Sequence, residues 1–402
     1  MKIPLMNIDD PDSRPVPGIA LFDLGFRPFF LLAGITALLL VPLWIYVYTL
    51  GGIEFAYYPA MASWHSHEMI FGYTVAVIAG FLLTAVRNWT DLQTPRGVAL
   101  ASLVALWLAG RVLPFLSGTL PDWIIAAVDT AFLPVLAVTL SVPVIRRRQK
   151  HNLVFLFVLT ALTVADMMVH LQILGFTQTT ANRGIHFAIY LIVLLIAILG
   201  GRVIPFFTEK GIAGAGTRRW TAVEYFSLGS LIVLTVLDLV HAAPLAVIVF
   251  AILAALGHGI RLFGWYQKTV WSVPLLWVLH LGYAWLVAGF VLKALSAAGL
   301  VNPMPAIHAF TIGGIGTITL GMMARVALGH TGRALRVGTA MTRAFVLANL
   351  AGLARVFLPI IVPEHYRAWI VLAGIFWSAA FAIFLISYAS VLIQPRVDGR
   401  PG

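Results

Sequence analysis

The chain has 402 residues, 61% of them hydrophobic and 10% charged, with mean hydropathy +0.96 and a formal charge of +11. Apolar runs long enough to cross a hydrocarbon core of about 30 Å recur from end to end, which excludes a string of soluble domains. There is no cysteine. That excludes disulfides, iron–sulfur clusters and thiolate-held haem or zinc, and leaves His, Met, Tyr and carboxylates as metal ligands.

Residues 1–27 contain Asp9, Asp10, Asp12 and several prolines but no apolar core. They read as a cytoplasmic segment and not as a cleavable signal. Twelve apolar stretches follow, approximately 28–50, 65–86, 97–117, 121–145, 152–175, 184–206, 221–240, 243–266, 272–295, 306–328, 339–362 and 366–393, before a short tail at 394–402. Runs this long without alternation are helices, because backbone groups in lipid must be satisfied within the segment. The expected fold is an all-α polytopic membrane protein with about twelve transmembrane helices in one domain, 28–393. With a cytoplasmic N-terminus, 21 of the 26 Lys and Arg fall inside or at inner helix ends, and only Arg111, Arg183, Lys293, Arg355 and Arg367 fall on the outer half. This is the positive-inside pattern of an inner membrane, with both termini cytoplasmic. The positive charge therefore reports topology and a lipid bilayer as partner, and no nucleic acid.

The histidines expose a weak repeat. His67, His186 and His308 open the second, sixth and tenth stretches, 119 and 122 residues apart. His67 is followed by Gly72 and Gly80, and His308 by Gly313 and Gly321, at the same offsets. Arg111 and Arg355, each a few residues before a proline, lie 244 residues apart, two such periods. The reading is three pseudo-repeated four-helix units.

Of eleven histidines, His65, His67, His170, His186, His241, His308 and His365 lie near the outer leaflet, with His280 in the upper-middle of the ninth stretch. Ionisable residues in spans are expensive and usually face the bundle interior, so a shared depth points to a shared use. His65 and His67 are two apart, so one helical face cannot carry both; each is a ligand or a polar helix start. His280 is either a ligand or a hydrogen-bonded core histidine. His170 shares a helical face with Asp166, which could orient the imidazole or carry protons. Tyr190 shares a face with His186, where a phenol could supply a proton and an electron. Glu68 is a further candidate proton carrier, whereas Asp129 reads better as an interfacial or hydrogen-bonded polar residue. Histidines in helix bundles commonly hold haem. The intramembrane Arg111 and Arg355 each demand an anion, either a haem propionate or helix-end carbonyls. Arg202 and Arg325 read as snorkelling to the inner surface.

Four stretches carry a family resemblance: Phe22–Phe30, Trp64–Tyr73, Gly201–Thr208 and His308–Gly313 continuing to Arg325–Arg333. They resemble the signature segments of the NnrS family. The resemblance implies a twelve-span bacterial membrane protein carrying haem, taken as b-type, and copper, and acting in denitrification and resistance to nitric oxide. It assigns no metal to an individual histidine. A fainter likeness is to the layout of haem–copper oxidases and nitric oxide reductases, with ligands on spans two, six and ten and a His–Tyr pair four apart on span six. The chain departs from those enzymes in lacking a His-His pair after span six and a second histidine on span ten.

The expected function is therefore a haem- and copper-containing protein that binds nitric oxide and reduces it with electrons from an external donor. In that reading His65, His67, His170, His186, His280 and His308 are candidate ligands, Arg111 and Arg355 cofactor contacts, and Tyr190, Glu68 and Asp166 catalytic groups. The alternatives are a non-enzymatic gas- or haem-binding protein and a transporter built on Gly-broken helices.

Overall fold

The computed structural model of the chain describes residues 18–52 and 56–400, so Asp9, Asp10 and Asp12 lie outside the described residues. Twelve helices are long and apolar enough to cross a membrane: α1 (Phe26–Leu50), α2 (Met61–Thr90), α3 (Val98–Leu116), α4 (Asp122–Arg146), α5 (Lys150–Ile173), α6 (Thr180–Gly211), α7 (Thr221–Leu239), α8 (Pro244–Trp265), α9 (Pro274–Ala297), α10 (Pro303–His330), α11 (Thr339–Ile361) and α12 (Pro363–Ile393). The chain is a multi-pass membrane protein. Its boundaries carry ordinary helix punctuation. Pro244, Pro274 and Pro303 sit at the first helical position, where a missing N–H costs nothing. Gly175 and Gly299 follow the ends of α5 and α9 with φ near +80° and +74°, conformations that an L side chain resists.

Burial separates an inner group from an outer one. In α2, α6, α9 and α10 between 67% and 89% of the apolar window is buried, against 22% in α7. An apolar cavity of about 710 Å³ lies among α1, α2, α6, α9 and α10, walled by Phe30, Ile78, Ile192, Leu279 and Met322 among others. Consecutive helices pack as neighbours, and α12 returns to pack on α1. That closure is fastened where the chain enters and leaves the bundle. The Ala20 N–H donates to Ile393 O at 2.8 Å, and the buried Arg27 guanidinium donates to the carbonyls of Leu392 at 3.1 Å and Gln394 at 2.6 Å. A cation there satisfies carbonyls that the end of α12 cannot bond itself. Arg27 is thus inside α1 and not in the segment before it. We call this the terminal face, and the opposite one, with the loops after α1, α3, α5, α7, α9 and α11, the distal face.

Two helices are wound unevenly. α2 passes through a π-helical stretch, Glu68–Thr74, and α10 through another, Ala309–Gly316. Each begins at the residue after a repeat-marking histidine, His67 or His308. Such stretches are rare and concentrate at functional positions. The helix that His186 opens, α6, has none.

Candidate metal centre

His67, just before the first π-helical stretch, reaches the bundle interior, where two further helices, α4 and α5, converge on it. His67 (α2), Asp129 (α4), Asp166 and His170 (α5) are all buried, and one ligand atom from each lies within 4.8 Å of every other. His67 Nε2 is 3.0 Å from Asp166 Oδ1 and 3.6 Å from Asp129 Oδ2; His170 Nε2 is 3.5 Å from each. A tetrahedral cation with bonds of about 2.0–2.1 Å needs ligand atoms about 3.3 Å apart. The observed spacings straddle that value, and His170 Nε2 and Asp129 Oδ2 have no hydrogen-bond partner.

The other imidazole nitrogens are held by a tyrosine pair in the segment between α1 and α2. Tyr58 Oη is 3.0 Å from His67 Nδ1, and Tyr57 Oη is 2.8 Å from His170 Nδ1. Burial pushes both hydroxyls well above the usual phenol range, with the nearby carboxylates adding to the shift, so both stay neutral. A neutral phenol oxygen can accept from Nδ1–H, which leaves Nε2 its lone pair for a cation.

Charge points the same way. Arg111 on α3 is ion-paired to Glu68 at 3.0 Å and to Asp129. Three carboxylates, Glu68, Asp129 and Asp166, against one guanidinium leave two negative charges in a buried group. A divalent cation between the imidazoles balances them; two protonated imidazoles would do the same without metal. Two glycines make the network possible. A Cβ on Gly72 would meet Glu68 Oε2 at 2.9 Å, and one on Gly110 would meet Asp129 Oδ1 at 2.6 Å.

The remaining sequence candidates fall into other groups. His65 points away from His67 and stacks on Trp44 at 4.7 Å; with His308 it lies within electrostatic reach of Arg355. His186, half exposed, is 4.0 Å from Asp238, which also pairs with Lys293 and bonds the Tyr190 hydroxyl. Tyr190 is therefore committed to Asp238 and not to this centre. His280 donates from Nδ1 to Leu276 O at 2.9 Å. Thus His67, His186 and His308 do not share one ligand set among the described residues. The reason is rotational: each lies near the start of its own helix, and the ligand partners of His67 come from α4 and α5, which the repeated histidines do not mention.

Three expectations change. Asp129, read as a bland polar residue, is a member of the centre. Arg111 meets Glu68 and Asp129, so the chain itself supplies the anion for which a propionate was invoked. Arg325 also departs from snorkelling: it is 8% exposed and lies 3.7 Å over the Phe207 ring. Sequence reasoning missed Tyr57 and Tyr58, for which no periodicity speaks. It missed as well the buried group in which Arg261 bonds Glu224 and Tyr283, with His258 Nδ1 2.6 Å from the same hydroxyl.

The profile of the family described as NnrS protein matches residues 20–396, nearly the whole chain. The chain belongs to the NnrS family. No individual curated protein matches it. Membership makes this NnrS chain a protein of nitric oxide response, in a family known in general terms for metal and haem. The donors at its centre, two imidazoles and two carboxylates, suit a borderline or hard first-row cation such as zinc, iron or divalent copper better than a thiolate-seeking one.

Proposed function

We propose that this protein is a haem- and copper-containing inner-membrane protein that binds nitric oxide and reduces it, with copper held by His67, His170, Asp129 and Asp166. The observation that carries the reading is the buried, doubly negative four-ligand group whose two imidazoles are pre-oriented by tyrosines. In that role the metal, when bound, supplies a Lewis-acidic, redox-active centre. The chain's own residues fix the ligand geometry, exclude water and hold protons. Glu68, its Oε1 3.4 Å from His67 Nδ1, is the proton carrier nearest the centre. A small pocket lined by Phe71, Trp107, Phe132 and Leu133 together with Asp129 and Asp166 adjoins it. Haem would fall to imidazoles outside the carboxylate group; His280 keeps a buried ring nitrogen, Nε2, without a partner, the donor an axial ligand needs.

The overall conversion, two nitric oxide plus two electrons and two protons to nitrous oxide and water, requires an external electron donor. The orientation proposed is cytoplasmic for the terminal face, on the positive-inside pattern. One observation favours a second reading, gas binding without turnover: Tyr190, the phenol expected to assist reduction, is bonded to Asp238 and stands outside the centre.

The test uses the purified chain. Metal analysis and a reduced-minus-oxidised spectrum are expected to show copper and a six- or five-coordinate haem. Nitric oxide consumption with an added reductant then separates reduction from binding. A preparation with neither metal nor haem under membrane-compatible purification rules out both. Reporter fusions at residues 146–150 and 297–305 check the orientation.

A further inference from the structure

Arg111 and Arg355 occupy equivalent places in the repeat, but their surroundings differ in charge. Arg111 is neutralised by Glu68 and Asp129. Counting from the paired histidines, the place of Glu68 is taken by Ala309; counting from the paired arginines, that of Asp129 is taken by Ala373. Both alanines are buried. Among the described residues no carboxylate lies within ion-pair distance of Arg355. Its Nη2 donates to the Tyr366 hydroxyl at 3.2 Å and its guanidinium lies 5.4 Å from that ring, while Nη1 is buried with no partner.

Two imidazoles lie within electrostatic reach of the same guanidinium. His65 Nδ1 is buried and also without a partner, its ring held parallel to Trp44. His308, on α10, donates from Nδ1 to Met304 O at 2.8 Å and is partly exposed. A metal cation is disfavoured here, because the guanidinium is permanently positive and would repel it at short range in a low dielectric. The unmet need is for negative charge: a guanidinium N–H and an imidazole N–H, both withdrawn from water, cost free energy until an acceptor reaches them.

We infer that His65, His308 and Arg355 form a second ligand site, distinct from the metal centre, that takes a monovalent anion with two oxygens on one atom, of the carboxylate or nitrite type. One oxygen accepts from Arg355 Nη1 and the other from His65 Nδ1. The anion is either free in solution at the distal face or the acidic arm of a bound cofactor. The site itself does not depend on the proposed metal.

The experiment is a calorimetric titration of the purified full-length chain with sodium formate and sodium nitrite at constant ionic strength. Wild type should give saturable heat. Arg355→Gln should weaken binding at least about 30-fold, the loss typical of a buried charged partner, and Arg355→Lys should weaken it less than Arg355→Gln. The source is resolved by loading the chain with haem or with its dimethyl ester. Suppression of the formate heat by haem but not by the ester assigns the site to a cofactor carboxylate; heat that survives both assigns it to the free ion. Silence in every wild-type preparation, ester-loaded included, overturns the inference. So does binding that Arg355→Gln retains at full strength. The ester arm alone rests on the proposed haem, so its failure leaves the formate result standing.

Discussion

The halves of the molecule around Arg111 and Arg355 share a plan and diverge in charge. Both begin with a histidine at the distal end of a buried helix, pass at once into a π-helical stretch, and set an arginine from the next helix against it. In the first half three carboxylates surround the arginine and leave a net negative pocket. In the second the places of Glu68 and Asp129 are taken by Ala309 and Ala373 and the pocket stays positive. Two stretches with matching markers thereby present arginine surroundings of opposite sign. The lesson is that the backbone repeat sets where a ligand sits, and two or three side chains decide whether it is a cation or an anion.

The most damaging test of this contrast is metal content. His67→Ala or His170→Ala should reduce the metal bound at the first centre to background by mass spectrometry, because three ligands remain and water fills an apolar pocket poorly. His308→Ala should leave that metal in place. Retained metal in both first-half variants would favour the metal-free balance by protonated imidazoles. Next in size is stability. Arg111→Gln strands Glu68 and Asp129 and should cost about 3–5 kcal/mol, read as a large drop in the detergent melting temperature. Arg355→Gln strands no carboxylate and should cost under about 1 kcal/mol. Equal losses would erase the asymmetry.

Smaller effects sharpen it. Tyr58→Phe removes the acceptor that orients His67 and should weaken metal binding about 10–100-fold, checked by competition with a chelator; Trp44→Phe, beside His65, should not. Smallest is backbone spacing. Gly110→Ala forces its Cβ toward Asp129 Oδ1 and should cost about 1–3 kcal/mol, whereas the equivalent residue is already Ala354. A melting curve unmoved by Gly110→Ala would mean that Asp129 can give way, and that the Arg111 pair is looser than described.

The fold was legible because the bilayer imposes length and hydropathy on every span, and the twelve helices fall within a few residues of those read from the text. The site was legible only where one helix carries two of its members. Asp166 and His170, four apart on α5, announced themselves by spacing. Asp129 did not, because its partners Arg111, His67 and His170 come from three other helices and an isolated aspartate on an apolar span has no pattern. Tyr57 and Tyr58 sit outside the spans, where periodicity carries no information. Equal depth grouped His67 with His186 and His308, but depth is one coordinate of three; the rotation of each helix sends them to different partners.

Arg27 adds a question of timing. Its guanidinium is fully buried and its acceptors belong to the far end of α12, 365 residues away in the chain for Leu392. At synthesis rates of about 5–20 residues per second, those acceptors emerge roughly 20–70 s after Arg27 does. Through that interval α1 must wait at the bilayer with an unsatisfied cation at its end. The first helix made is thus the last to gain its final partners. A ribosome-bound chain lacking α12 should leave Arg27→Cys open to a water-soluble thiol reagent, and the finished protein should shield it.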